Sequence, residues 1–150
     1  MLSIGDIAPN FSLPDSSGNI ISLKDFKGKK LVLYFYPKDD TPGCTKEACS
    51  FRDNLSRVKA KGAEIVGVSA DSVKSHAKFT EKYELSFPLI SDEKKEMVAA
   101  YGVWQQKSFM GKKFMGIVRS TFIIDEHGKI SHIFDKVKVS GHTDEVLNVL

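Results

Sequence analysis

Six consecutive residues, Leu31-Val-Leu-Tyr-Phe-Tyr36, carry no charged side chain. A strand with one wet face alternates apolar and polar residues, whereas a run that is apolar throughout is buried on both faces. Such a strand needs helices above and below it. Glu64-Ile-Val-Gly-Val-Ser-Ala70 reads as a second central strand. Between the two, from about Pro42 to Ala60, the residues Ala48, Phe51, Leu55 and Val58 recur at spacings of three and four. That is the period of a helix burying one stripe, and Lys61-Gly62 ends it. A strand, a helix and a second strand in this order imply a parallel pair with a right-handed crossover.

The pattern continues along the chain. Helices are predicted over about Val73 to Tyr83, over Glu93 to Tyr101, and from Thr143 through Val146, Leu147 and Leu150. Phe87-Pro-Leu-Ile90 reads as a short strand. Phe11-Ser-Leu13 and Ile20-Ile-Ser22 flank Asp15-Ser-Ser-Gly18, a hairpin signal at the N-terminal end. Val118 to Asp125 and Ile130 to Phe134 flank Glu126-His-Gly128, a second one. Gly102 to Gly116, rich in Lys, Gly and aromatics, lacks periodicity and is expected to be a long loop. The expected fold is α/β: a thioredoxin-like three-layer α/β/α sandwich with a mixed central sheet and an N-terminal β-hairpin. Other doubly wound folds share this outline, so topology alone does not select among them.

Composition removes whole classes of function. The chain has 150 residues, enough for one domain over 1–150 that buries roughly 70% of its unfolded surface without disulfide or metal staples. Its two cysteines, Cys44 and Cys49, exclude a disulfide scaffold and a four-cysteine zinc site. A net charge of +3 argues for neither a nucleic-acid nor a membrane-surface partner. No apolar run approaches the roughly 18 residues of a membrane span, and the start of the chain does not read as a signal peptide. The expected compartment is therefore the cytosol, where thiols stay reduced and the cysteines matter as reactive groups.

The informative stretch is Pro37-Lys-Asp-Asp-Thr-Pro-Gly-Cys-Thr-Lys-Glu-Ala-Cys49. It follows the carboxyl end of a central strand, where open α/β sheets place their sites. Thr41 suits an N-cap, Pro42 the first helical position, and Gly43 a close backbone approach. Cys44 then falls in the first helical turn, where the dipole and free N–H groups favour the nucleophilic thiolate. Nothing comparable acts on Cys49, which on physical grounds alone reads as a small buried residue.

These residues resemble the peroxidatic motif of peroxiredoxins, P-x-x-x-T-x-x-C, met by Pro37, Thr41 and Cys44. A second cysteine five residues on is similar to the bacterioferritin-comigratory-protein, or Q-type, branch. The likeness extends to Gly5-Asp-Ile-Ala-Pro9, Phe87-Pro-Leu-Ile-Ser-Asp92 and Arg119-Ser-Thr-Phe-Ile-Ile-Asp125. The resemblance implies a thiol-dependent peroxidase acting on hydroperoxides without a cofactor. It implies Cys44 as the attacking thiolate, Thr41 as hydrogen-bond partner of sulfur and peroxide, and Arg119 as the fixed positive charge. It implies Pro37 as a shield and Cys49 as the resolving cysteine of an intramolecular disulfide. A thioredoxin-type protein would reduce that disulfide, and a monomer would suffice.

Each residue also has a plainer reading. Arg119 sits in an apolar stretch that reads as a strand, where a lone arginine is usually a surface residue. Pro37 could simply end its strand, and Glu47 either orients an arginine or stays solvated. His76, His127, His132 and His142 show no metal-ligand spacing. Two rival functions differ in class. A thioredoxin-like disulfide reductase would want C-x-x-C, but four residues separate Cys44 from Cys49. A non-catalytic interaction or holdase module would not need Pro37, Thr41, Cys44 and Arg119 together.

Overall fold

A computed structural model describes residues 1–150. Its centre is a five-stranded mixed sheet in the order β5-β4-β3-β8-β9. β3 (Lys30–Phe35) pairs in parallel with β4 (Ala63–Ser69), and β4 in parallel with β5 (Leu89–Ser91). β8 (Ser120–Ile124) lies antiparallel to β3, and β9 (Ile130–Phe134) closes the far edge. β1 (Ser12–Pro14) and β2 (Ile20–Ser22) form the expected N-terminal hairpin.

The alternation along β3 divides the core in two. Val32, Tyr34 and Tyr36 pack with α1 (Pro42–Asp53), α2 (Leu55–Ala60), α3 (Val73–Tyr83) and α5 (His142–Val149). Leu31, Leu33 and Phe35 face the other way, against α4 (Glu96–Ala100) and the chain around Ala8 and Phe11. The apolar run thus sits in the middle of three layers. Gly67 makes one close approach possible. A Cβ there would lie 2.9 Å from the Tyr34 hydroxyl and 2.8 Å from Leu89, so only glycine lets the Tyr34 ring cross β4. That ring meets Phe51 of α1 at a centroid distance of 4.7 Å. Phe51 is fully buried, and truncating such a residue to alanine costs about 3–5 kcal/mol. This contact seats α1 on the sheet.

Four expectations are corrected. The helix expected over 42–60 breaks at Asn54, whose side chain donates to the Ser50 carbonyl at 2.8 Å. The loop expected over 102–116 is a hairpin of β6 (Trp104–Phe109) and β7 (Lys112–Ile117). Its turn puts Met110 at φ 51° and Gly111 at φ 78°, the left-handed pair a two-residue hairpin demands. The helix expected from Glu93 starts only at Glu96, because Lys95 adopts a left-handed conformation at φ 63°. Arg119 is not inside a strand but in the two-residue link, Val118 and Arg119, between β7 and β8.

Candidate active site

Helix α1 begins where the sequence places it. Thr41 has extended N-cap geometry, Pro42 is the first helical residue, and Cys44 is the third. The first main-chain bond of the turn is Thr45 N–H to the Thr41 carbonyl at 2.8 Å. The N–H groups of Gly43 and Cys44 therefore have no carbonyl one turn back and stay available at the positive end of the helix. Thr41 departs from its expected side-chain roles. Its hydroxyl neither caps the helix nor donates to sulfur; it donates to the Lys38 carbonyl at 2.8 Å. That spends the proton and leaves the oxygen lone pairs as acceptors. Pro37 opens the loop directly after Tyr36 and is half-buried.

The link between β7 and β8 delivers Arg119 across this helix start. Arg119 Nη2 donates to Cys44 Sγ at 3.3 Å, and Nη1 donates to Glu47 Oε1 at 2.6 Å. Cys44 and Glu47 are each 2% exposed and the arginine side chain 16%. Burial works against the guanidinium charge, but attraction to Glu47 and Cys44 and the hydrogen bonds to both hold it above its ordinary range. Burial pushes the Glu47 carboxyl up to about 7, against the pull of Arg119. Its second oxygen, Oε2, has no partner. Gly43 leaves the room this pairing needs, since a Cβ there would lie 3.2 Å from Arg119 Nη2. The chemistry available is that of a buried thiol under a fixed cation, with spare N–H donors beside it.

Residues 4–133 match the AhpC/TSA family model. The chain belongs to the AhpC/TSA family. Within it the chain is 52% identical over 149 residues to the putative peroxiredoxin bcp of Coxiella burnetii, covering 99% of both chains. It is 50% identical over 149 residues to peroxiredoxin Bcp of Escherichia coli, covering 99% of this chain and 96% of that one. A solved structure of the Xanthomonas campestris bacterioferritin comigratory protein superposes with a TM-score of 0.91 at 41% identity. The match covers 99% of this chain and 95% of that one, and that work concerned the alkyl peroxide reduction activity of the Xanthomonas protein and its trapped intermediate and ligand complexes. The fold of this AhpC/TSA chain is thus the expected thioredoxin-like one.

The structure brings Cys44, Glu47 and Arg119 into contact and puts Thr41 one turn away. It does not join Cys49 to them. Both cysteines are free, and Cys49 lies half-buried on the same unbroken helix. The sequence reading did not single out Asp39, and it weighed His76 only as a metal ligand. Asp39, 7% exposed, lies 2.7 Å from His76 Nδ1, and His76 is fully buried. With Asp71 they form a cluster of metal-ligand type. Their atoms are already engaged: Asp39 Oδ2 faces His76 Nδ1, His76 Nε2 lies 2.9 Å from the Ile90 carbonyl, and Asp71 Oδ2 accepts from Ser69 and the Asp39 N–H. The cluster is a hydrogen-bond network, because a metal would have to displace each of these bonds.

Proposed function

We propose that this chain reduces hydroperoxides with Cys44 as the attacking thiolate. The observation carrying this is the Arg119 guanidinium, shared between Cys44 Sγ and the buried Glu47 carboxyl. The thiolate attacks one peroxide oxygen and the O–O bond breaks. Sulfur keeps that oxygen as a sulfenic acid, and the other leaves as water or alcohol after taking a proton. Arg119 and the N–H groups of Gly43 and Cys44 donate to the peroxide oxygens as charge develops on them. The Thr41 oxygen accepts from the peroxide O–H. Pro37 shields the sulfenic acid from bulk water.

Cys49 then attacks the Cys44 sulfur, the S–O bond breaks, and the hydroxyl leaves as water. A dithiol protein of thioredoxin type returns both cysteines to thiols and is itself oxidised to a disulfide. The cycle uses no cofactor, needs no second copy of the chain, and suits the reducing conditions of the cytosol. Support for the reading comes from the family membership, the relatives' names and the arrangement at Cys44.

The test is peroxide consumption by purified protein with thioredoxin or dithiothreitol. Cys44→Ser should abolish it, since a serine hydroxyl neither ionises at neutral pH nor forms a sulfenic acid. Turnover retained in that variant would overturn the assignment. Non-reducing peptide mass spectrometry after one equivalent of peroxide should find Cys44 and Cys49 joined.

A further inference from the structure

Helix α3 holds no residue of the reaction described above, yet it grips the segment that carries Cys44 at three points. Asp39, in the loop before α1, turns inward. Its Oδ1 accepts from the Tyr36 hydroxyl at 2.6 Å, and its Oδ2 accepts from Ser75 Oγ at 2.8 Å and faces His76 Nδ1 at 2.7 Å. Asp40, the next residue, turns outward. It accepts from Lys82 Nζ and from the Tyr83 hydroxyl, each at 2.8 Å, and its backbone is at φ 55°. Beyond the cysteines, Arg52 Nη1 donates to the Tyr83 carbonyl at 2.6 Å. Ser75, His76, Lys82 and Tyr83 all belong to α3.

The inner tie is built to stay closed. Both ring nitrogens of His76 face oxygens, Asp39 Oδ2 at 2.7 Å and the Ile90 carbonyl at 2.9 Å. Burial, with Tyr34 and Asp39 nearby, holds the Tyr36 phenol far above its ordinary range, so it remains a donor. Removing the Asp39 carboxylate would leave the buried Tyr36 hydroxyl and His76 Nδ1 without their short partner.

We propose that Asp39 and His76 form a latch that positions the Pro37–Thr41 loop and the first turn of α1 for peroxide attack and must release before Cys49 can reach Cys44. They are positioning residues: neither touches Cys44 or Arg119. The proposal rests on the peroxidase reading and adds a control point to it. A strong latch favours attack on peroxide and delays disulfide formation; a weak one does the reverse. The latch therefore sets how long the sulfenic acid stays exposed to a second peroxide.

The deciding experiment resolves the two steps. In Asp39→Asn the second-order rate of Cys44 oxidation by hydrogen peroxide should fall about tenfold, the worth of roughly one hydrogen bond. The later conversion of sulfenic acid to disulfide, followed by quenched-flow mass spectrometry, should accelerate. Sulfinic acid at Cys44 should decrease at a given peroxide concentration. Amide exchange over residues 36–44 of the reduced protein should quicken. A merely structural role would slow both steps together or move neither, and either result overturns the latch. Should Asp39→Asn fail to fold, Lys82→Met with Tyr83→Phe cuts only the solvent-facing tie and must shift the two steps in the same opposite directions by a smaller factor. If the unsubstituted chain forms no sulfenic acid, the peroxidase reading falls and the latch with it. A normal parent with unmoved variants removes the latch alone.

Discussion

Glu47→Gln tests the electrostatics of the site in a way that does not depend on turnover. Glu47 is a carboxyl with one oxygen on Arg119 and one on nothing, 2% exposed. Burial lifts it from its ordinary 4.5 to about 7. Between those two values the folded chain binds this proton more tightly than the unfolded chain does. Unfolding stability therefore falls as pH rises through that window. The contribution is complete below 4.5 and lost once pH passes about 7. The span corresponds to on the order of 3 kcal/mol. Glutamine keeps the shape and an acceptor for Arg119 but does not titrate. Urea unfolding of the reduced proteins at pH 5, 6, 7 and 8, followed by circular dichroism, should show the variant gaining on the parent as pH rises. A difference constant to within about half a kcal/mol, ordinary for a neutral surface change, would refute the reasoning. The same variant should lose the contribution of Glu47 to the pH dependence of Cys44 oxidation.

Arg119→Ala should slow Cys44 oxidation by peroxide by about 100- to 1,000-fold, the usual cost of a donor aimed at developing charge. Arg119→Lys should recover only part, because an ammonium cannot serve Cys44 and Glu47 with a planar fork; full recovery in a stopped-flow assay would contradict this. Gly43→Ala should raise the melting temperature slightly through helix propensity, yet reduce the oxidation rate several-fold, because the new methyl presses on Arg119 Nη2 at 3.2 Å. Cys49→Ser should accumulate sulfinic acid at Cys44 under excess peroxide, read by intact-mass spectrometry, since nothing else in the chain intercepts the sulfenic acid.

What could be read from the sequence was whatever has a local period or a local cap. Leu31 to Tyr36 announced a strand covered on both faces, and Thr41, Pro42 and Gly43 announced the start of α1 three residues before the cysteine. The break at Asn54 was hidden because Phe51, Leu55 and Val58 keep the helical spacing across it. β6 and β7 were hidden for two reasons. Most of their residues are exposed on both faces, so no alternation marks them, and Met110 occupies a left-handed position that a sequence flags only when it holds Gly, Asn or Asp. Arg119 was found by resemblance, but its reach to Cys44 depends on leaving the strand just before Ser120. Asp39 and His76 lie 37 residues apart and meet only because β3 and β4 run parallel and α3 crosses back over them. The available signal was a lone histidine three residues before Phe79 on the apolar stripe of α3, facing the carboxyl end of β3.

Asn54 also bears on how the disulfide can form. In an unbroken α-helix a five-residue step turns about 500° and rises about 7.5 Å, which places two Cα atoms roughly 8.7 Å apart on different faces. A disulfide tolerates at most about 7 Å between Cα atoms. Cys44 and Cys49 occupy one unbroken helix, so α1 must unwind between them for the bond to close. Unwinding that spread through the whole segment 42–60 would also uncover Leu55 and Val58, both buried against the sheet. Asn54 supplies a boundary. Its main-chain conformation interrupts the helix, its own carbonyl accepts the N–H of Val58 to start α2, and its side chain already bonds back to Ser50. α2 therefore keeps its bonds and its contacts when α1 opens. The oxidised protein should show faster amide exchange from Thr41 to Arg52 than the reduced one, and unchanged exchange from Val58 to Ala60. Equal acceleration in both stretches would mean that the break at Asn54 confines nothing. Unchanged exchange around the cysteines, in a protein whose disulfide is present, would mean that α1 need not open at all.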